Sequence, residues 1–243
     1  MTRWITYCGA APLPADWLSR WNFDPVLLLA MAGAAIAWRL WPQRGDARAA
    51  GGLLASGLIL YVSPLCALGA ALFLVRILHD LALSALIAPL AVAAFGMRRM
   101  HLPGTLLQWT VVHILVFFAW HAPQLYAAAM QSDALFWAMQ ITIAGSAALW
   151  WAKLLDEKAA GAALSLLAMM VAMGMLGALL TFAEHAFYAP HWLTTGDWGF
   201  SPLEDQQLAG IVMWAPASAA YLLAAMVILY RGVLRGGAQE PAE

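Results

Sequence analysis

Hydrophobic positions along this chain fall into seven long runs separated by short polar segments. Each run is long enough for an α-helix of about 20 residues to cross the hydrocarbon core of a bilayer. Only helices fit, because isolated strands would leave backbone groups unpaired in lipid. We therefore predict an all-α, seven-transmembrane-helix bundle that forms a single membrane domain over residues 1–243. The predicted spans are 24–41, 51–74, 81–97, 105–121, 134–152, 160–183 and 207–230, and residues 231–243 form a short tail.

Capping and proline signals refine these helices. Asp24 precedes Pro25 at the start of the first run, so Asp24 is expected to cap the helix and Pro25 to take its first position. Pro64 and Pro89 lie inside the second and third runs. We expect both prolines to kink their helices, which neighbouring helices in a bundle can tolerate.

The distribution of Lys and Arg predicts the orientation. Nine of these residues fall in the first, third and fifth connections and the C-terminal tail, whereas three fall on the opposite side. Cytoplasmic segments carry such an excess, so the N-terminus is predicted to face outward and the C-terminus to be cytoplasmic. The nine are Arg39, Arg44, Arg48, Arg98, Arg99, Lys153, Lys158, Arg231 and Arg235, and the three are Arg3, Arg20 and Arg76.

Composition excludes several classes of protein. The chain is 64% hydrophobic and 10% charged, whereas a soluble domain carries about 25% charged residues. No basic face exists to neutralise phosphates, so nucleic acid is not an expected partner.

The two cysteines, Cys8 and Cys66, are far apart and form no CxxC pair, which argues against a disulfide framework. No nucleotide loop, nucleophile elbow or zinc-protease motif is present, and no enzymatic activity is predicted. The N-terminus does not have the pattern of a removed signal peptide.

Histidines and acids near the predicted outer face form a candidate cation site. The outward connections 121–133 and 184–206 contain no Lys or Arg. Imidazole and thioether ligands suit copper, but no local pair such as HxxxH occurs, so several helices would have to contribute. As an alternative to metal binding, the histidines and acids of these connections could be solvated loop residues without a function. His113, inside the fourth run, could instead be hydrogen-bonded to a backbone carbonyl. The methionines of the sixth run could serve either helix packing or a Cu(I) pathway. The candidate ligands are His79, His121, His185, His191, Asp205 and Met213.

Four segments together resemble the polytopic CtaG family of cytochrome c oxidase assembly factors. Asp205, Gln206, Gly210, Met213 and Trp214 match a DQ-x-x-x-G-x-x-MW signature at the seventh run. The other segments are Trp120-His121-Ala122-Pro123 with Tyr126, Thr181-Phe182-Ala183 with Tyr188-Ala189-Pro190-His191, and Tyr7-Cys8-Gly9 with Trp21-Asn22-Phe23-Asp24-Pro25. The chain departs from the family where an HMxxH pair commonly opens the third span, because Val75 replaces the first histidine and His79 remains. It also reads Gln140-Ile141 where many members carry a histidine after a glutamine.

The resemblance implies a role in maturing a haem–copper oxidase in a bacterial cell membrane. It implies oxidase subunits as partners and copper insertion at the periplasmic face, with copper as the metal handled. Two other hypotheses remain open. The helices could form a metal-free scaffold for nascent subunits, with small-residue faces such as Gly174 and Ala178 supporting helix packing. Alternatively, His79 and His113 could be axial ligands of a haem.

Overall fold

The helices of the computed structural model follow the predicted order of hydrophobic runs. The structure describes residues 5–41 and 45–237, so Arg3 and Arg44 lie outside the described part of the chain. A short β-hairpin precedes the helices, and each of its strands, β1 (Ile5–Thr6) and β2 (Gly9–Ala10), has two residues. The helices are α1 (Pro25–Leu40), α2 (Ala47–Gly57), α3 (Leu65–Ala71), α4 (Phe73–Ala82), α5 (Ala88–Ala94), α6 (Leu106–Trp120), α7 (Pro123–Ala129), α8 (Asp133–Leu154), α9 (Ala159–Thr181) and α10 (Pro202–Gly237).

The all-α prediction is confirmed, and several helices have the length and composition of membrane spans. Four stretches are each long and apolar enough to cross a membrane on their own: Phe73–Ala94, Asp133–Leu154, Ala159–Thr181 and Pro202–Gly232. Two bent pairs, α2 with α3 and α6 with α7, raise the number to six if each pair is one span. The apolar helix α1 is shorter, at 16 residues. The described residues therefore contain four to six candidate spans, and the count of seven stays a prediction.

The break between the second and third spans lies earlier than the sequence indicated. Leu72 adopts an extended conformation, with φ −123° and ψ 126°, and α4 begins at Phe73. A π-helical turn at Leu83–Ile87 joins α4 to α5. Arg76, His79 and Asp80 consequently lie within a membrane-spanning helix, not in or beside an outward connection. Arg76 is a buried helical residue and not one of the solvated charges of the outer side.

Helix ends and bends follow the local signals at Asp24–Pro25 and at Pro64. The Asp24 side chain accepts a hydrogen bond from the Val26 N–H at 2.8 Å, and Pro25 is the first residue of α1, as predicted. The chain bends by 45° at the Pro64 break. Pro89 lies just after the π-helical turn within the continuous stretch Phe73–Ala94, and a kink at this residue stays a prediction.

A disulfide joins Cys8 of the hairpin turn to Cys66 of α3. The prediction that these two cysteines form no disulfide framework was therefore wrong. The two residues are 58 positions apart, yet their Cα atoms are 5.3 Å apart in the fold. Sequence spacing reveals local pairs such as CxxC, whereas this pair is created by the packing of the hairpin against α3.

The tightest helix packing is between α9 and α10. A Cβ atom placed on Gly210 would lie 2.6 Å from the Gly177 carbonyl oxygen, so the two backbones approach closely at these glycines. Gly174 faces the Trp214 ring, and a Cβ atom placed on this glycine would lie 3.3 Å from the indole Cδ1. The small-residue face of α9 is therefore used inside the bundle, against α10.

Candidate functional site

The first turn of α4 is capped by a carboxylate from α10. Asp205 is fully buried, and its Oδ2 and Oδ1 accept hydrogen bonds from the backbone N–H groups of Phe73 at 2.6 Å and Leu74 at 3.2 Å. These N–H groups lack helical partners because the helix starts at Phe73. The negative carboxylate also interacts favourably with the positive end of the helix dipole. Asp205 thus joins two membrane helices.

The two glutamines after Asp205 hold the connection 182–201 that precedes α10. The Gln206 Oε1 accepts a hydrogen bond from the Phe187 N–H at 2.7 Å. The Gln207 Nε2 donates to the Ala183 carbonyl oxygen at 3.2 Å. The three consecutive residues 205–207 therefore fix both α4 and this connection to the start of α10.

Two tyrosine–histidine contacts attach the same connection to α6 and α7. The Tyr188 hydroxyl donates to the His121 carbonyl oxygen at 2.8 Å, and the Tyr188 ring stacks on Phe73 with centroids 3.8 Å apart. The Tyr126 hydroxyl and His191 Nε2 are hydrogen-bonded at 2.7 Å. Burial lowers the pKa of His191 to about 3, so its imidazole is neutral at physiological pH.

His121 presents one unprotonated ring nitrogen inside the protein. Its Nδ1 lies 2.7 Å from the Phe117 carbonyl oxygen. A carbonyl only accepts, so Nδ1 carries the proton and Nε2 keeps its lone pair. Nε2 is buried and has no hydrogen-bond partner among the described residues. This is the tautomer that a metal-ligating histidine adopts, with the second nitrogen held by a carbonyl.

A buried polar layer lies next to these contacts and consists of Tyr61, Arg76, His79, Asp80 and Gln140. Arg76, His79 and Asp80 share one face of α4, since they are three and four positions apart. The Tyr61 hydroxyl donates to Gln140 Oε1 at 3.0 Å, and the Tyr61 and His79 rings are 5.0 Å apart. Arg76 is fully buried, and its guanidinium lies 5.0 Å from the centroid of the Phe136 ring.

Several polar atoms of this layer have no hydrogen-bond partner among the described residues. They include all three guanidinium nitrogens of Arg76, His79 Nε2, Asp80 Oδ1 and Gln140 Nε2. Burying polar groups without partners is costly, and charges inside a membrane are functional candidates by default. The sequence prediction included His79 but missed Arg76 as a site residue. The spacing of Arg76, His79 and Asp80, which places three ionisable residues on one face of a helix, was the sequence signal that could have identified Arg76.

The six predicted ligands are not gathered into one cluster. Asp205 is a helix cap, His191 is bonded to Tyr126, and His185 is exposed beside Phe187, with ring centroids 4.9 Å apart. Met213 is fully buried. In the described ranges 5–41 and 45–237, no group of three or more His, Cys, Asp or Glu residues could hold a metal ion. His79 and His121 are the candidates whose Nε2 atoms lack a partner, and copper ligation by the six residues stays a prediction.

The remaining intramembrane candidates are packed in the core. His113 Nδ1 is bonded to the Ser146 hydroxyl at 2.9 Å, not to a backbone carbonyl, and its ring lies against Trp150 at a centroid distance of 5.9 Å. Met169 and Met173 of α9 are buried in the hydrophobic core of the bundle. Their positions fit a packing role, and haem ligation by His113 stays a prediction.

Comparison with known proteins gives one match. A family model described as cytochrome c oxidase caa3 assembly factor matches residues 26–233. No curated protein and no solved structure matches the chain.

Proposed function

The chain belongs to the cytochrome c oxidase caa3 assembly factor family, and from this premise we propose that it assists oxidase maturation at the outer face of the membrane without catalysing a reaction. One observation carries the proposal. Residues from α4, α6, α7, α10 and the connection 182–201 are joined by hydrogen bonds at one end of the bundle. A rigid, histidine-containing end of this kind suits transient contact with a nascent oxidase subunit.

The disulfide supports placing this end outside the cytoplasm. Structural disulfides persist in oxidising compartments and are rare in the cytosol. Cys66 belongs to α3, whose last residue, Ala71, accepts a hydrogen bond from the Thr194 hydroxyl of the connection 182–201 at 2.7 Å. The cysteine pair and that connection therefore share one end of the bundle. The excess of Arg and Lys at the opposite end leads to the same orientation.

Copper is the proposed cargo of this outer end. The chemistry of the donor set fits Cu(I), since imidazole nitrogens and a thioether are ligands that copper accepts. The unpartnered Nε2 atoms of His79 and His121 and the buried thioether of Met213 would hold it. The permanent charge of Arg76, on the same helix face as His79, opposes tight binding of a cation. This favours a site that holds copper briefly and releases it.

Competition for Cu(I) tests this role. Purified protein loaded with Cu(I) is titrated with a chromophoric Cu(I) chelator, and the metal content is measured after removal of excess metal. We expect His121→Ala to weaken retention by about tenfold, the effect of losing roughly 1.4 kcal/mol of binding free energy. His185→Ala is the matched control because that histidine is exposed. A wild-type protein that retains no copper, or equal losses in both variants, would refute copper handling through His121.

A metal-free scaffold is the second candidate function. The observation in its favour is the fixed positive charge of Arg76, together with the absence of a three-residue ligand group among the described residues. A variant with His79, His121, His185 and His191 all changed to Asn separates the two functions. Restoration of oxidase activity by this variant in a gene-deletion strain at low copper supports the scaffold. Rescue only when copper is added supports copper handling.

A further inference from the structure

The chain before α1 crosses one end of the bundle as a segment that we call the N-terminal strap and define as residues 5–24. Near its beginning the strap is bound covalently to α3 through the disulfide between Cys8 and Cys66. Near its end the Asn22 N–H donates to the Val62 carbonyl oxygen at 2.9 Å. The strap is therefore attached to the bundle at points far apart along its length.

The middle of the strap contacts the connection 182–201 at the same end of the bundle. The Trp198 Nε1 of this connection donates to the Pro12 carbonyl oxygen at 3.2 Å. The Trp17 and Trp198 rings meet edge to face, with centroids 6.4 Å apart. The strap thus joins α3 to the connection 182–201.

One side chain of the strap, Tyr7, packs on two rings at the start of α8. The Tyr7 ring stacks on Phe136 with centroids 5.2 Å apart, and it meets Trp137 edge to face at 5.1 Å. Its hydroxyl donates to Asp24 Oδ2 at 2.6 Å, which fixes the ring over α8. Phe136 and Trp137 therefore have the strap as a direct neighbour.

The same two rings pack against the buried polar layer. The Arg76 guanidinium lies 5.0 Å from the centroid of the Phe136 ring. The Trp137 ring lies 5.0 Å from Tyr61, whose own ring lies 5.0 Å from His79. One or two aromatic rings thus separate the strap from the charged and imidazole groups of the layer. In this position the strap and these rings cover the layer.

Covering the layer has an energetic cost. Arg76, His79 and Gln140 have buried nitrogen atoms without a hydrogen-bond partner among the described residues. Each of these atoms would be hydrogen-bonded in water, so burying it without a partner is unfavourable. Displacement of the strap admits water and recovers part of this free energy. The disulfide opposes displacement because it binds the strap to α3 across a sequence separation of 58 residues.

The sulfur atom of Cys8 is the accessible end of this cross-link. Cys66 is 0% exposed, whereas Cys8 lies in the hairpin turn and is 9% exposed. A Cβ atom on the neighbouring Gly9 would meet nothing within 4 Å, so the turn is open beside Cys8. A reductant thiolate can therefore approach the Cys8 Sγ, with the Cys66 Sγ as the leaving group.

We propose that the N-terminal strap is a redox-controlled cover of the polar layer, which opens when a dithiol reductant cleaves the Cys8–Cys66 disulfide. The reductant thiolate bonds to Cys8 Sγ, and Cys66 Sγ leaves with the electron pair of the S–S bond and takes up a proton. The second thiol of the reductant then displaces Cys8 Sγ, which is also protonated. The protein gains two thiols and the reductant becomes a disulfide. This inference is independent of the proposed handling of copper.

Chemical modification of histidines tests the cover. Purified full-length protein, untreated or reduced with dithiothreitol that is then removed, receives a short pulse of diethyl pyrocarbonate, and each histidine is read by peptide mass spectrometry. We expect the exposed His185 to react in both states. The reactivity of His79 should rise about tenfold on reduction, because it then follows local opening of the strap. His113, which is 0% exposed, should stay unreactive and so report that the bundle remains folded.

Variants separate the cross-link from the ring contacts of the strap. The double variant Cys8→Ser and Cys66→Ser should show the high reactivity of His79 without reductant. Tyr7→Ala keeps the disulfide but removes the ring that packs on α8, so it should raise the reactivity of His79 in the oxidised protein. Ile5→Ala is the matched control, because Ile5 belongs to the same hairpin and is 66% exposed.

Four outcomes would overturn the proposal. The first is full reactivity of His79 in the oxidised wild type, and the second is unchanged reactivity after reduction. The third is a rise at His113 equal to that at His79, which would show that loss of the disulfide unfolds the bundle. The fourth is a disulfide that dithiothreitol does not reduce in the folded protein, as counted by maleimide mass shifts.

Discussion

At the scale of single residues, the structure assigns packing and capping roles to polar side chains that resemble metal ligands in the sequence. Asp205 is the clearest case, since both of its carboxylate oxygens accept hydrogen bonds from the start of α4. Its partners lie more than 130 positions away. An acid near histidines suggests a cation site when only the sequence is known. The partner N–H groups become visible only when the break at Leu72 is known.

The burial of His191 predicts a pH-dependent stability. Its pKa is lowered to about 3 by desolvation, although the Ala71 carbonyl partly offsets this effect. Below the unfolded pKa of about 6.5, the unfolded chain binds a proton that the folded protein excludes. The free energy of unfolding should therefore fall as the pH decreases from about 6.5 toward 3.

A variant at this position isolates the effect. His191→Gln removes the titrating ring and keeps a hydrogen-bonding side chain opposite Tyr126, so its thermal midpoint should change less between pH about 7 and about 5 than that of the wild type. His185→Gln is the control because His185 is exposed. The explanation fails if the His191 and His185 variants show the same pH dependence as the wild type.

At the scale of helices, the sequence predicts the existence of elements better than their boundaries. Hydrophobic runs and the Asp24–Pro25 start are sufficient to predict α1, α8 and α9 to within a few residues. The start of α4 was placed too late because Arg76, His79 and Asp80 resemble a polar connection. These residues are tolerated in the helix because the bundle buries them away from lipid. That burial is a property of the packed structure and not of the local sequence.

The contact between α9 and α10 explains the glycine of the seventh-run motif. A Cβ atom on Gly210 would lie 2.6 Å from the Gly177 carbonyl oxygen and 2.7 Å from the Thr181 nitrogen. Since these are backbone atoms, Gly210→Ala can be accommodated only if the helices separate. We expect a loss of about 1–3 kcal/mol in stability, the usual effect of overpacking.

Thermal unfolding of the purified protein in detergent measures this loss. Gly145→Ala on α8 is the matched control, because its Cβ atom would meet nothing within 4 Å. It should raise helix propensity without a clash and leave the midpoint unchanged or slightly higher. Equal midpoints for the two variants would show that α9 and α10 do not approach as closely as described.

At the scale of the whole molecule, two independent physical effects predict the same orientation. The first is electrostatic and concerns Arg98, Lys153 and the other basic residues at one end of the bundle. The second is chemical and concerns the Cys8–Cys66 disulfide, which adjoins the connection 182–201 at the other end. Composition predicts only that the chain enters a membrane. The fold adds to the charge distribution because it shows which connections share an end of the bundle.

Labelling with a membrane-impermeant maleimide tests this orientation directly. Both native cysteines are changed to Ser, and a single thiol is introduced by Asp197→Cys in the outer connection or by Glu157→Cys at the opposite end; both positions are exposed. In intact spheroplasts we expect labelling at position 197 and none at position 157, which should react only after permeabilisation. Labelling at 157 alone would place the 182–201 connection in the cytoplasm. The disulfide would then lie in a reducing compartment, and copper delivery to the outer face of an oxidase would lose its structural basis.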